Sequence, residues 1–223
     1  MLGIIDIWLI SCDDGDETGP YYSLSEAERK RADAFVAPEH RRRFIQAHSS
    51  LRQILNYHTG LDPGAIRFRS NKNGKPYLDN RTAVPLSFNL SHSGELAVVA
   101  VGEVSEIGVD VERIRPMPDW EEIAKGIFHQ AETEWVRAAV ADHRAQAFFE
   151  VWTAKEAYVK ASGRGLAHLV HSFAVVGAKS QREYFVTWLQ LPKGYTGAVA
   201  YPPPRCEIRW RWWRGKQDSG ARV

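Results

Sequence analysis

The chain has 223 residues, is 44% hydrophobic and 25% charged, and carries a formal net charge of +2. This composition is typical of a globular protein and excludes a disordered or fibrous chain. Its longest apolar runs, 96–101 and 107–111, are much shorter than the ~20 residues of a membrane helix, and its near-neutral charge argues against bulk binding of nucleic acid. The two cysteines lack metal-site spacing and fit a reducing compartment, and no signal-peptide pattern begins the chain. We therefore expect a cytoplasmic protein of one or two domains.

The first half of the chain begins with a strand and continues into helices. Residues 3–10 are β-branched and aromatic, which favours a strand. A short helix is predicted after Ser23 or Ser25, since a glutamate follows each of them three residues later, as in a capping box. A longer helix is predicted to begin at Pro38 and to end at Gly60, with apolar residues at helical spacing between them.

Short strands are predicted to follow this long helix. His48 lies on the apolar stripe of the helix, and we expect it to pack in the core without a chemical role. Asn73-Gly74 lies between strand-like segments and is a strong turn signal. The strands are predicted at 65–70, 85–90, 95–101 and 106–112.

The second half of the chain has a loosely similar order of elements. A helix is predicted from Asp119, where Glu122 would complete a capping box, and a longer helix from about 142 to 162, stopped by Gly163 and Gly165. Further strands are predicted at 172–176, 184–191, 198–201 and 207–213. These elements predict an α+β protein with two lobes and a seam near residue 105.

Two carboxylates share one face of the strand at 106–112. Because side chains alternate along a strand, Asp110 and Glu112 face one side and the valines next to them face the other. The pair either forms the solvated face of a half-buried strand or holds a divalent cation, since Mg²⁺ prefers carboxylate oxygens, waters and substrate phosphates. Gly108, just before the acids, would let a ligand approach the backbone closely.

The long second-half helix carries a stripe of three functional side chains. Trp152, Glu156 and Lys160 are spaced four residues apart and therefore share one face. On a wet surface the glutamate and lysine would contribute about 0.2–0.5 kcal/mol. The neighbouring tryptophan indicates partial burial, where a charged pair needs a further partner. A metal for the carboxylate and a phosphate for the lysine would supply one.

A Ser-His-Ser-Gly segment at 91–94 lies between two predicted strands. Ser91 and His92 diverge on an extended chain, so they do not form a nucleophile–base pair, and no motif of a serine hydrolase, zinc protease or P-loop occurs. Polar atoms followed by a glycine suit contact with an anion instead. Gly-Lys-Pro at 74–76 is by itself a turn, and becomes a contact for a purine edge only together with the rest of the site.

Together these segments resemble the motifs of the 4′-phosphopantetheinyl transferases, in particular the larger, two-lobed Sfp-type branch. The matching segments are Gly-Lys-Pro at 74–76, Asn-Leu-Ser-His-Ser at 89–93, Gly-Val-Asp-Val-Glu at 108–112 and the helix at 152–160. Each motif is weak alone, but four in the same order along most of the chain are specific. The resemblance implies transfer of the phosphopantetheine arm of coenzyme A to a serine of an apo acyl or peptidyl carrier protein, with release of adenosine 3′,5′-bisphosphate.

The resemblance also implies a fold and a metal. The family consists of Mg²⁺-dependent enzymes, with Mn²⁺ as a possible substitute, and we expect a monomer. The implied fold has two similar α/β lobes related by a pseudo-twofold axis, each a small, mostly antiparallel sheet packed on a long helix, with coenzyme A in the cleft between them. The N-terminal lobe, 1–105, would contact the adenine and phosphates of coenzyme A. The C-terminal lobe, 106–223, would carry the metal-binding and catalytic residues.

Site residues follow from the resemblance position by position. Asp110, Glu112 and Glu156 would hold the metal, and Lys160 would contact the pyrophosphate. Glu156, Lys160 and Asp110 would be the catalytic residues, with Glu156 as the candidate base for the carrier serine, directly or through a metal-bound water. A metal and fixed cations would stabilise the negative charge on the leaving bisphosphate.

The implied contacts with coenzyme A come from both lobes. They are Arg31, Arg43, Lys75, Pro76, Ser91, His92, Lys155 and Lys160. Ser91 and His92 would contact phosphates, the Lys-Pro pair would border the adenine, and Arg43, ahead of Arg31, would reach the 3′-phosphate. Glu28 stands where some relatives carry a basic residue, so this phosphate pocket is expected to be less positive here.

An acidic carrier protein would meet a basic, partly apolar surface, for which we select Arg113, Arg115, Lys125 and Phe128. Two other classes of function remain as alternatives. The first is a single-stranded nucleic-acid-binding module built on the Arg/Trp tail at 209–214, although this tail also reads as an edge strand with arginine stems packed on rings. The second is a carrier-independent, Mg²⁺-dependent pyrophosphatase-like enzyme that uses the same three acids.

Overall fold

The computed structural model describes residues 3–13, 18–82, 85–165, 173–176 and 183–214. No helix in these ranges is long and apolar enough to cross a membrane. The helices and strands found there are, in chain order, β1 (Gly3–Ser11), α1 (Thr18–Ser23), α2 (Glu26–Asp33), α3 (Pro38–Thr59), β2 (Phe68–Ser70), β3 (Pro76–Leu78), β4 (Ser87–Ser93), β5 (Leu96–Gly102), β6 (Gly108–Arg113), α4 (Trp120–Ile127), α5 (Gln130–Ala138), α6 (Arg144–Ser162), β7 (Phe185–Trp188), β8 (Tyr195–Tyr201) and β9 (Cys206–Trp213).

The strands form small sheets that are mostly antiparallel. The first sheet has the order β4-β5-β1-β9, in which β5 pairs antiparallel with β4 and β1, and β9 runs parallel to β1. The second sheet has the order β6-β8-β7 and is antiparallel, and β2 and β3 form a separate hairpin. The prediction of an α+β protein with small sheets and helices is therefore confirmed.

The two sheets lie face to face between α3 and α6. One apolar cluster packs α3 on the first sheet, for example Leu51 with Val99. A second cluster fills the space between the sheets, with Ile7 from the first and Val109 from the second. A third packs α4, α5 and α6 on the second sheet. Burial of these apolar faces on both sides of each sheet holds the helix–sheet–sheet–helix order.

The two helices predicted in the first half begin where expected, and the longer one also ends where expected. Ser25, rather than Ser23, caps α2: its Oγ accepts a hydrogen bond from the Glu28 backbone N–H at 3.3 Å, and its own N–H donates to Glu28 Oε2 at 2.8 Å. Pro38 begins α3, and Gly60, with φ of 72°, ends it. A left-handed residue at this position favours glycine because glycine has no Cβ to clash.

Outside these elements two predictions were wrong, and α5 and β3 were not predicted. The side chain of Asp119 makes no capping hydrogen bond with α4, whereas α5, which we did not predict, is capped by His129 and Glu132. Residues 173–176 form no strand, and residue 172 of that predicted strand lies outside the described residues. The strand β3 was also missed because three residues beginning with proline are too short to show alternation.

The last strand behaves as predicted for an edge strand. Arg211 lies over the rings of Trp8 and Tyr57, at 5.1 and 5.4 Å, and its Nε donates to Asp6 at 2.8 Å. Since β9 pairs with β1, a division at residue 105 puts β9 in a different lobe from the sheet that it joins.

Gly108 begins β6 where α6 crosses it. A Cβ at this position would lie 2.1 Å from the Ala157 carbonyl oxygen and 2.3 Å from the Ala161 backbone nitrogen. Our expectation that Gly108 admits a ligand is therefore wrong, because the backbone of α6 occupies that space. The close approach also brings Asp110, which lies two residues further along the same face of β6, next to α6.

We predict that Gly108→Ala lowers the free energy of unfolding by about 3 kcal/mol, because helix and strand backbones would have to separate. Gly126→Ala is the matched control, since Gly126 is exposed in α4 and a Cβ there would have no atom within 4 Å. It should stabilise the fold by about 0.5–1 kcal/mol. Urea denaturation measures both changes, and equal effects of the two substitutions would contradict the packing described.

Candidate active site

The edges of β4 and β6 are joined by side chains rather than by a backbone ladder. Asn89 Oδ1, Ser91 Oγ and Ser93 Oγ accept hydrogen bonds from the backbone N–H groups of alternate residues of β6, namely Val109, Val111 and Arg113, at 2.8, 3.4 and 3.1 Å. We call this set of contacts the β4–β6 junction. It satisfies N–H groups on the unpaired edge of β6 and fixes the position of the acidic strand relative to β4.

Asp110 is held at the centre of the site by both halves of the chain. Its Oδ1 accepts hydrogen bonds from Ser91 Oγ at 2.8 Å and from Lys160 Nζ at 2.6 Å. Its Oδ2 is buried and has no hydrogen-bond partner among the described residues. Burial raises the pKa of Asp110, while the ammonium group of Lys160 opposes that shift. A buried, unpartnered carboxylate oxygen is costly unless a further group binds it.

Two more acids lie close to Asp110. Glu112 Oε2 accepts hydrogen bonds from Ser93 Oγ at 2.7 Å and from Arg115 Nη1 at 3.3 Å. Burial raises the pKa of Glu156, Asp110 and Glu112 raise it further, and Lys160 lowers it. In the part of the chain that the structure describes, no group of three or more His, Cys, Asp and Glu side chains is arranged to enclose a metal ion. The structure thus places the three predicted acids close enough to repel one another, next to Lys160.

A cavity of about 530 Å³ opens beside these residues, and both halves of the chain line it. From β4, Phe88, Leu90 and His92 line it together with Asn89, whereas Ser91 and Ser93 of the β4–β6 junction do not. The lining residues are Glu28, Arg31, His48, Leu51, Phe68, Asn73, Gly74, Lys75, Pro76, Phe88, Asn89, Leu90, His92, Glu156, Val159, Lys160, Gly163 and Gly165. The volume falls within the range of small-molecule and cofactor sites.

Basic side chains gather on the wall of the cavity. Burial lowers the pKa of His92, and the charges of His48, Lys160 and Arg31 lower it further. Arg31 and Lys160 reach the cavity from α2 and α6, and the His48 imidazole reaches it from α3, so the wall suits a ligand with several phosphate groups. His92 also lines the cavity, and its contact with a phosphate stays a prediction. Ser91 does not line the cavity, because its hydroxyl is committed to Asp110.

A carboxylate is built into the same wall. Glu28 Oε2 accepts hydrogen bonds from Arg52 Nε at 2.9 Å and from Ser25, while Oε1 lies 3.3 Å from His48 Nδ1. Burial alone would raise the pKa of Glu28, but hydrogen bonds from His48 and Ser25 and the charge of Arg52 lower it to about 2. Glu28 thus remains negative at neutral pH but is neutralised by its own partners.

His48 is more than a packed core residue. Its ring stacks on Phe44, with centroids 4.1 Å apart, but it also lines the cavity and contacts Glu28. His48 thus packs on a core ring as expected but also reaches the cavity, and the absence of a chemical role stays a prediction. The apolar stripe of α3 extends past the end of the first sheet, so residues on it face the cavity.

Of the two arginines predicted to reach the 3′-phosphate, Arg31 lines the cavity and Arg43 does not. Arg43 donates through Nε and Nη2 to the two oxygens of Asp13, at 2.7 and 3.1 Å, and this pairing holds the pKa of Asp13 below its usual range. Arg43 does not line the cavity. Arg31 does, and its guanidinium lies 5.1 Å above the Phe44 ring. The structure therefore favours Arg31 over Arg43 as a phosphate contact, the reverse of our order.

Lys155 lies in the core of the second half instead of the cavity. Only 2% of its side chain is exposed, and its Nζ lies 2.9 Å from Glu132 Oε2 and donates to the Phe173 carbonyl at 2.8 Å. Adjacent residues of a helix point about 100° apart, so Lys155 cannot share the face of Glu156. The prediction that Lys155 contacts coenzyme A was wrong for this reason.

Lys75 and Pro76 do line the cavity, as predicted. The Lys75 ammonium group is already engaged, since it donates to Glu106 Oε2 at 2.7 Å and to the Ala161 carbonyl at 2.8 Å. Its aliphatic stem and the proline ring therefore supply the apolar part of this wall.

The selected carrier surface is only partly exposed. Arg113 and Lys125 are exposed. Arg115 contacts Glu112 and lies 4.7 Å above the Phe149 ring. Phe128 is 3% exposed and belongs to the core between α4 and α6. Including Phe128 in this surface was therefore wrong, because its ring faces α6.

Sequence reasoning missed the groups that support the cavity wall. Arg52 is fully buried and ion-paired, which a single arginine in an apolar helix does not reveal. The available signal was its spacing. Arg52 lies four residues after His48, on the same face of α3, and both side chains therefore reach Glu28. Asn71 and Asn73, in the turn at the Gly-Lys-Pro segment, donate to the Gly163 carbonyl at the end of α6. The only sequence signal for these two residues was their position beside that motif.

Comparisons with known proteins agree with the motifs. The profile of the 4′-phosphopantetheinyl transferase superfamily matches residues 106–198. A second profile, of the N-terminal part of 4′-phosphopantetheinyl transferase, matches residues 20–104. The two matches meet close to residue 105, where we expected the seam between lobes.

Several curated relatives are similar over most of the chain. HetI of Nostoc sp., a 4′-phosphopantetheinyl transferase, is 45% identical over 148 residues, which cover 66% of this chain and 62% of HetI. Sfp of Bacillus subtilis, also a 4′-phosphopantetheinyl transferase, is 33% identical over 164 residues, which cover 68% of this chain and 71% of Sfp. The match thus spans a little under two thirds of HetI and somewhat more of Sfp.

We predict that Glu28→Gln destabilises the fold at pH 7 by about 3 kcal/mol, because Arg52 would then be buried without a counter-charge. In the wild type, ionised Glu28 stabilises the fold fully above about pH 4.5, and this contribution is lost as the pH falls toward about 2. The melting temperature of the variant should therefore depend less on pH in this window.

Glu26→Gln is the matched control, since Glu26 forms an exposed pair with Lys30 on the same helix. Its melting temperature should follow the wild type at every pH. If Glu28→Gln and Glu26→Gln gave the same pH profile, the buried network would not have the role described here.

Proposed function

The chain belongs to the 4′-phosphopantetheinyl transferase superfamily, and we propose that it transfers the 4′-phosphopantetheine arm of coenzyme A to a serine of an apo acyl or peptidyl carrier protein. The observation that carries this proposal is the cavity between α3, β4 and α6, which has a basic wall and a cluster of acids at one side. A polyphosphate ligand and a hard cation would match these two features. We propose that the protein acts as a monomer in the cytoplasm, since one chain lines the whole cavity and its cysteines fit a reducing compartment.

We propose that the two lobes divide the work. Residues 1–105 would hold the adenine and phosphate end of coenzyme A, and 106–223 would supply the metal-binding and catalytic groups. A pseudo-twofold relation between the lobes is supported by their parts, since each long helix, α3 or α6, packs on its own sheet and the sheets face each other.

Asp110, Glu112 and Glu156 are the residues that would hold a metal ion. The buried Asp110 Oδ2 without a partner and the mutual repulsion of the acids fit a cation of the Mg²⁺ type, for which Mn²⁺ could substitute. Such an ion would neutralise charge on the phosphate oxygens during the displacement.

The protein side chains bind and orient the reacting groups. Lys160 Nζ contacts Asp110, Ser91 and the Val109 carbonyl at the edge of the cavity, so the positive charge of its ammonium group would lie beside the diphosphate. Arg31 and His92 would bind the remaining phosphates. The burial that raises the pKa of Glu156 makes it a stronger base than an exposed glutamate, so Glu156 would accept the proton of the carrier serine.

The reaction is a displacement at phosphorus. The serine oxygen forms a bond to the phosphorus that carries the pantetheine arm, and the bond from this phosphorus to the bridging oxygen breaks. Adenosine 3′,5′-bisphosphate leaves with the bridging oxygen, and the serine proton passes to Glu156. Fixed cations stabilise the charge that develops on the leaving group, which is the main contribution that a protein makes to phosphoryl transfer.

The nucleic-acid alternative finds no support in the tail. Of the three arginines in the tail, Arg209 pairs with Glu207, and Arg211 pairs with Asp6 and packs on aromatic rings, so two of them are already engaged. The pyrophosphatase-like alternative differs from the proposal only because it needs no carrier protein. Incubation with and without a carrier distinguishes the two.

The proposal is tested by incubating the protein with coenzyme A, Mg²⁺ and an apo carrier protein and measuring the intact mass of the carrier. We expect the carrier to gain one phosphopantetheine arm. Asp110→Ala should abolish the gain and Glu156→Gln should reduce it at least a hundredfold. Consumption of coenzyme A without a carrier would favour the pyrophosphatase-like enzyme instead, and full activity of either variant would disprove this site.

The acid cluster also predicts a conflict between stability and function. Without added metal, Glu156→Gln should raise the melting temperature by about 2–4 °C, because it removes a repelled, half-buried carboxylate. The wild type should gain stability on addition of Mg²⁺, while the variant should gain much less. Differential scanning calorimetry with and without Mg²⁺ measures both effects, and identical responses of the two proteins would contradict the proposed ligand set.

The carrier is proposed to dock on the exposed basic residues after β6. Lys125→Glu reverses one charge on this surface, and Lys125 does not line the cavity, so the substitution should raise the KM for an acidic carrier about tenfold and leave coenzyme A affinity unchanged. Steady-state kinetics with each substrate varied measure this, with Arg209→Glu as a charge-matched control, because Arg209 is exposed on β9 of the first sheet. Equal losses for both substrates would refute the proposed surface.

A further inference from the structure

A turn of the N-terminal half ties directly to the end of the catalytic helix. Asn71 Nδ2 and Asn73 Nδ2 both donate to the Gly163 carbonyl, at 3.1 and 2.7 Å. Asn71 Oδ1 also accepts from the backbone N–H groups of Asn73 and Lys75, at 2.9 and 3.1 Å, which shapes the turn. The Asn71 side chain therefore orders the turn and attaches it to α6, whereas the Asn73 side chain only attaches it.

These contacts serve carbonyl groups that the helix leaves without partners. The last carbonyls of an α-helix have no intrahelical donor, and here α6 ends at Gly163 with φ of 61°. Lys75 Nζ donates to Ala161 O, and the asparagines donate to Gly163 O. The N-terminal half thus supplies the cap for the helix that carries Glu156 and Lys160.

The turn and the helix end are also neighbours in the cavity wall. The segment from Asn73 to Pro76 lines the cavity on one side, and Gly163 and Gly165 line it next to that segment. A Cβ at Gly163 would come within 2.9 Å of Asn71 Nδ2, so the asparagine side chain packs closely on the Gly163 backbone. The width of the cavity here depends on the contact between the turn and α6.

We infer that Asn71 and Asn73 are positioning residues, which clamp the β2–β3 turn onto the C-terminal end of α6 and so hold the nucleotide side of the cavity in its binding shape. This inference rests on the proposed function, because it takes the nucleotide part of coenzyme A as the occupant. Neither asparagine takes part in the transfer step. Their contribution acts through the position of Lys75 and Pro76 relative to α6.

The test uses Asn73→Ala, since this exposed side chain makes the cross-contact without shaping the turn through its own oxygen. Calorimetric titration with adenosine 3′,5′-bisphosphate measures nucleotide binding without a carrier protein. We expect the Kd to rise about two- to tenfold, which corresponds to the loss of one hydrogen bond. The KM for coenzyme A should rise by the same factor, while the kcat and the KM for the carrier stay unchanged. Asn73→Gln keeps the amide donor and should recover part of the affinity.

Asn80→Ala is the matched control. Asn80 bonds the Arg67 backbone N–H and the Ala65 carbonyl, so it supports the same hairpin without contacting α6. Its Kd for the bisphosphate should stay within twofold of the wild type. The inference is overturned if Asn73→Ala binds the bisphosphate as the wild type does, or if Asn80→Ala weakens binding equally. If the wild type binds the bisphosphate but transfers nothing to a carrier, the proposed function fails. The Kd values of the asparagine variants for the bisphosphate still test the role of the two asparagines.

Discussion

The β4–β6 junction is the contact on which the site depends. β4 and β6 are each the last strand of their sheet, and the polar side chains of Asn89, Ser91 and Ser93 accept hydrogen bonds from N–H groups of β6 without merging the sheets. Because these side chains alternate with Leu90 and His92, one strand serves two surfaces: Ser91 and Ser93 fix the acidic strand, Leu90 and His92 line the cavity, and Asn89 does both. The junction therefore sets the distance between the acids and the basic wall.

The second constraint is the close approach of α6 to β6 at Gly108. It brings Lys160 onto Asp110 and leaves Glu156 among like charges, an arrangement that costs stability in the free protein. Proteins accept such a cost where the groups bind a ligand of opposite charge. The hydrogen bonds from Asn71 and Asn73 then fix the C-terminal end of α6. Two contacts between the halves and one within the C-terminal half thus define one cavity.

The sequence predicted elements whose signals are local. The capping box of Ser25, the helix from Pro38 and the shared face of Asp110 and Glu112 depend on neighbours a few residues away, and the structure confirms them. Long-range pairing was not predictable in this way. Arg43 finds Asp13 and Lys155 finds Glu132, and these partners come from distant elements that no spacing rule connects. Helical spacing correctly placed Glu156 and Lys160 on one face of α6, and both line the cavity, whereas motif membership wrongly added Lys155.

The central claim is that coenzyme A occupies the cavity between α3, β4 and α6. A crystal structure of the protein with coenzyme A and Mg²⁺ tests it most directly. We predict that the diphosphate lies beside Lys160, with the ion bound to Asp110 Oδ2, and that the nucleotide lies between Arg31 and the Lys75-Pro76 turn. The account would be contradicted by coenzyme A bound elsewhere, for example in the groove of about 440 Å³ lined by Trp135 and Gln146 between α5 and α6.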